Sequence, residues 1–157
     1  MSEHDQELGA LLFFGNPMEV IPRRLITAST LSHEEKICWM AVKVLSEHNR
    51  VHDLESSTEL AQLLYNNPDE LPALRNVLLK LRLSRWLTRC GDAMGGGTLY
   101  GVHDEVASIA EVVKLDPDYP QLVAEAAEHE REDIRQLAKA TLPLLLPPPS
   151  METWGSL

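Results

Sequence analysis

A chain of 157 residues, 44% of them hydrophobic, is long enough to bury one real core, and its 24 acids against 14 Lys and Arg give a formal net charge of −10. That balance argues against charge-driven coating of nucleic acid or membrane, while leaving room for a local basic face. The only two cysteines, Cys38 and Cys90, lack CxxC spacing, which argues against a disulfide framework and fits a reducing cytoplasm. The first apolar run, Leu11 to Phe14, is too short to span a bilayer. It follows Glu3, Asp5 and Glu7, the wrong sign for a signal peptide.

Residues 1–20 read as an N-terminal arm, with a turn at Gly15-Asn16-Pro17 that leaves "LLFF" as an edge strand or a packed arm. The first firm helix opens at "SHEE", where Ser32 and Glu35 have capping-box spacing. Ile37, Met40, Ala41, Val44 and Leu45 recur at helical period, with Cys38 as a buried filler beside Trp39. Ser56 and Glu59 open a shorter helix faced by Leu60, Leu63 and Leu64. A third helix begins near Asp69 or Glu70, with Pro72 in its first turn. Its Leu71, Leu74, Val77, Leu78 and Leu81 share one face, and Arg75, Asn76, Leu79 and Lys80 the other.

The period then changes. "RWLTRC" and "TLYGVH" read as two strands around the glycine-rich turn "GDAMGGG". Helix, helix, helix and hairpin is the order of a winged helix-turn-helix, here over residues 21–105. Residues 106–142 return to helix. Ser108 and Glu111 cap one segment, and Asp118 opens another that runs to about Leu142. Its stripe of Leu122, Val123, Ala126, Ile134, Leu137 and Ala138, interrupted by "EHERED", suits either a core or a homodimer seam. Residues 143–157 read as a disordered tail. The expected class is therefore mainly α, a winged helix-turn-helix with a β-hairpin wing and a C-terminal helical extension.

Charge is divided unevenly along this chain. Residues 71–91 hold Arg75, Lys80, Arg82, Arg85 and Arg89 and no acid, whereas residues 104–133 hold ten acids against Lys114 and Arg131. On a winged helix the basic stretch points to double-stranded DNA. Arg75, Asn76 and Lys80 would face the major groove, and Arg82, Arg85 and Arg89 would hold phosphates. The alternative is a solvated face that pairs with the acidic C-terminal half, and Leu79 beside those charges also admits a protein partner. His103-Asp104-Glu105 point in different directions at a strand end, and His48 and His52 lack a third ligand, so neither group is read as a metal site. No pattern calls for a cofactor or an enzymatic role.

Five pieces, "PRRLI", "LSHEEKICW", "LLKLRLSRWL", "LYGVHDE" and "LDPDYPQLV", occur in an order that resembles the pathogenicity-island replication family. These are small proteins of genomic islands and integrating conjugative elements, whose members read "LRLTRWL", "YxLHDE" and "LDPDY". The resemblance runs from about Phe14 to Leu142. It implies a winged-helix protein acting in replication, maintenance or regulation of a mobile element, and it carries over no functional residue. The turn "CGDAMGGG" departs from the family's longer, more basic wing and carries Asp92. A winged-helix module that contacts protein and not DNA is the alternative function.

Overall fold

The computed structural model describes residues 18–46, 53–92 and 97–146. Among them, in chain order, are α1 (Arg23–Thr27), α2 (His33–Leu45), a 3₁₀ turn (Leu54–Ser56), α3 (Thr58–Tyr65) and α4 (Leu71–Leu83). A two-stranded antiparallel sheet, β1 (Leu87–Asp92) and β2 (Thr98–Val102), follows, then α5 (Ile109–Leu115), α6 (Tyr119–Ala126) and α7 (Glu132–Leu145). Among the described residues the protein is mainly helical with one small hairpin. Of the expected N-terminal arm only residues 18–20 are described, and they are exposed. His48, His52, the hairpin tip 93–96 and residues 147–157 of the tail lie outside the described residues.

Helix α2 is turned from the rotation its aliphatic residues suggest. Cys38, Trp39, Ala41 and Val42 are buried, while Ile37 and Val44 are exposed. Trp39 decides this. It carries the largest apolar surface on the helix, and its Nε1–H donates to the His103 carbonyl at 2.9 Å. Ile37, two residues away, then lies nearly opposite it around a 3.6-residue turn. The expected capping box is absent here. The Ser32 side chain makes no cap hydrogen bond, and Glu35 is buried against Lys80.

Helix α3 is capped one residue later than expected. Ser57 Oγ accepts the Leu60 N–H at 3.1 Å, while Ser56 closes the preceding 3₁₀ turn. Leu60 and Ala61 are buried and Leu63 is exposed. Helix α4 keeps Pro72 in its first turn, and Leu74, Val77, Leu78 and Leu81 enter a first core with α2 and α3.

The end of α4 is a Schellman motif. The Arg85 N–H donates to the Arg82 carbonyl at 3.1 Å and the Trp86 N–H to the Leu81 carbonyl at 3.0 Å. Arg85 holds the left-handed position at φ 67°, a place usually taken by Gly and costing another residue roughly 1 kcal/mol. The strand expected from Arg85 therefore starts at Leu87. Thr88 pairs with Gly101 and Arg89 with Tyr100; a bulge at Cys90 then brings Gly91 opposite Leu99. A Cβ on Gly101 would stand 2.5 Å from Thr88 Oγ1, so glycine is what lets this face close.

The capping box at α5 is complete: Ser108 Oγ accepts the Glu111 N–H, and Glu111 accepts the Ser108 N–H. The single helix expected from Asp118 to Leu142 is two helices broken at residues 127–131. Arg135 Nη1 donates to the His129 and Glu130 carbonyls and holds that corner. The break lets Val123 and Ala126 of α6 meet Ile134 and Ala138 of α7 in a second core with Leu83 and Tyr119. The stripe read as core or seam is thus buried within the chain. Helix α7 runs through Pro143 to Leu145, past the expected start of the tail. Helix α4 is the common wall of the two cores.

Candidate functional site

Of the six residues expected to contact DNA, three are committed inside the fold. Lys80 Nζ lies 2.7 Å from Glu35 Oε1 and 3.1 Å from Asp133 Oδ2, joining α2, α4 and α7. Arg82 is buried and pairs through Nη2 with the equally buried Asp116 at 2.9 Å. Arg85 Nε donates to the Ala107 carbonyl at 2.8 Å while its own carbonyl accepts the Ala107 N–H at 3.1 Å. That two-way clasp repays the left-handed backbone. Asn76 is half-buried, and only Arg75 and Arg89 are exposed.

The expectation of one outward basic face is corrected accordingly. From Val77 to the end of α4 no residue is exposed, because α7 and the loop before α6 cover the side away from the leucine stripe. Leu79, read as an outward residue, packs into the second core. The overlooked signal was Leu79 with Leu83, an i, i+4 pair that forms a second apolar stripe on the same helix.

Burial acts to lower the Lys80 ammonium, but hydrogen bonds to Glu35 and Asp133 outweigh it and hold it above its ordinary value. The Arg131 hydrogen bond first, and Lys80 after it, hold the Asp133 carboxyl well below the usual range. Glu35 keeps one oxygen, Oε2, buried without a partner. Such pairs are chiefly selective. Their desolvation offsets most of the attraction, whereas removing one partner leaves a buried charge at a cost of about 3–5 kcal/mol.

Beside these pairs a groove of about 480 Å³ opens between the outer half of β1 and α6. The buried Arg82 and Asp116 and the half-buried Leu122 line it, together with Cys90 and the exposed Arg89, Asp92, Pro117, Asp118, Gln121 and Glu125. Four carboxylates face two guanidiniums, a balance of −2. Cys90 is half-buried, whereas Cys38 is fully buried, and that burial first, with Glu34 and Glu35 adding, pushes its thiol up to about 12. On the inner face of the hairpin Thr88 Oγ1 lies 2.9 Å from His103 Nε2 and 3.4 Å from Cys90 Sγ. Burial holds the His103 imidazole below its ordinary value.

A second hollow, about 470 Å³, lies between Pro22, Trp39, Lys43, Val102 and His103. Among the described residues no three His, Cys, Asp or Glu side chains stand together as a metal site. Nor is any described helix long and apolar enough to cross a membrane. Comparison with family models, curated proteins and solved structures returned no match.

Proposed function

We propose that this chain is a winged-helix module of a mobile genetic element, serving its replication, maintenance or regulation by contacting protein. The order of three helices and a hairpin, with the family resemblance, supports the first part. One observation carries the second. The side of α4 that a winged helix would lay in the major groove is occupied by the C-terminal helices, with Lys80 and Arg82 spent on Asp133 and Asp116. The approach to the exposed end of α4 is also acidic, with Asp69 and Glu70 both exposed.

A salt-titrated binding assay on duplex DNA from the element tests this reading. Fluorescence anisotropy is expected to show no sequence-selective binding from low to physiological salt. Tight selective binding that Arg75→Ala abolishes would overturn it. DNA binding remains the second reading because Arg75 and Arg89 are exposed and make no ion pair among the described residues. Two phosphate contacts would give a log–log salt slope of only about −1.8.

A further inference from the structure

We propose that the hollow between the start of α1, the outer side of α2 and the end of β2 is the docking site of the chain's own segment Leu11–Phe14, which closes it within one molecule. The contact is independent of whether the module meets protein or DNA. The hollow, about 470 Å³, lies within the size range of specific binding sites. Pro22, Trp39 and Val102 form its apolar lining, and Val102, the last residue of β2, is left exposed.

The course of the chain beside the hollow names the occupant. Pro22 is itself part of the lining, and the Val20 carbonyl accepts a hydrogen bond from Lys43 Nζ, another lining group. Lys43 Nζ also lies 5.7 Å from the centre of the Trp39 ring, so one ammonium fixes residue 20 beside the Trp39 edge of the hollow. Residues 1–17 precede this anchored point, and Met18 and Val20, next to it in the chain, are 80% and 79% exposed. Phe14 stands eight residues before Pro22, a span of up to roughly 26 Å when extended, and Gly15-Asn16-Pro17 is a turn sequence, so the segment can fold back onto the hollow.

The chemistry matches on both sides. Lys43 and Asp104 are the charged groups of the lining, and they cancel. Burial holds the His103 imidazole below its ordinary value, which leaves it uncharged at neutral pH. A hollow with an apolar lining and no net charge favours an uncharged occupant. Residues 9–18 carry no charge, and they hold both phenylalanines of the chain in a run of four large apolar side chains. Moving that run out of water is what drives the docking.

The test uses the full chain with p-benzoylphenylalanine in place of Phe14, irradiated as an equal mixture of isotopically light and heavy protein and mapped by mass spectrometry. Cross-links are expected within one chain, to residues 39–46 and 102–104. Val102→Glu should lower that yield by about fivefold or more, because it sets a carboxylate against the apolar segment. Leu11→Ser with Leu12→Ser, changes made in the segment itself, should do the same. Leu144→Glu, exposed on α7 and outside the lining, should leave the yield unchanged. Cross-links between a light and a heavy chain would make a second copy the occupant and overturn the proposal. So would cross-links to other residues of the same chain, or a yield that Val102→Glu and the serine pair leave as it was.

Discussion

The two buried sides of α4 are held by different physics. One side sends Leu74, Val77, Leu78 and Leu81 into an apolar core with Trp39 and Trp86. The other combines Leu79 and Leu83 with one buried ion pair, Arg82–Asp116, and one half-exposed pair, Lys80–Asp133. An apolar face tolerates many partners of the right volume, whereas a buried ion pair accepts only a partner that brings the opposite charge to the right place. The leucine side therefore supplies bulk stability, and the charged side selects which element may cover the helix. The acidic C-terminal half is that element, and it takes up two of the five basic residues, Lys80 and Arg82, of a basic stretch inside an acidic chain.

The comparison predicts its largest effect on the apolar side. Trp86 is 1% exposed, so Trp86→Ala should cost about 3–5 kcal/mol in urea unfolding. A change below about 1 kcal/mol would show that this core does not depend on it. On the charged side Arg82→Ala should cost about as much, because it leaves Asp116 buried and unpaired. The distinguishing result is the double variant Arg82→Met with Asp116→Leu. It should recover most of the loss, as no rescue of Trp86→Ala by a neighbour would.

A pH titration of stability sharpens the contrast. Asp133 is depressed in the fold, so its contribution is present above the ordinary carboxylate range and is lost as pH falls below about 4. Lys80 is raised, so its contribution is present below the ordinary lysine value and is lost as pH rises through the folded one. Asp133→Asn should flatten the acid limb of thermal unfolding. At neutral pH it should cost less than about 1 kcal/mol, the carboxylate being well exposed to solvent. An acid limb identical to that of the unaltered protein would show that the Asp133 carboxylate adds nothing to stability.

The smallest expected effect is at Arg85. Arg85→Gly loses the bond to Ala107 but relieves the left-handed strain, so the net change should stay within about 1 kcal/mol. Arg85→Ala loses the bond and keeps the strain, and should be the worse of the two by roughly 1 kcal/mol. The reverse order in equilibrium unfolding would show that left-handed strain at residue 85 does not set the difference.

Much of the framework was legible because its signals are local. Pro72 in a first turn, the leucine stripe of α4, the glycine-rich hairpin and the Ser108–Glu111 box each need only a few adjacent residues to be read. The rotation of α2 was not legible, because Trp39 overrides Ile37 and Val44 only once the His103 carbonyl is there to take its N–H. The break at residues 127–131 was legible only in part: "EHERED" interrupts the apolar stripe, but an interrupted stripe still suits one long helix or two folded back on each other, and only packing against α4 chooses.

Composition and spacing by themselves determined that this is a mainly helical chain with one hairpin, acidic overall and locally basic. They determined as well which residues are basic in residues 71–91, and therefore what the tertiary structure had to neutralise. They could not determine the use of those charges. A guanidinium looks the same in sequence whether it faces phosphate, water or a carboxylate 34 residues away, as Arg82 faces Asp116. That choice belongs to the tertiary structure, because pairing energy depends on separation in space and on exclusion of water, and neither is a property of neighbouring residues.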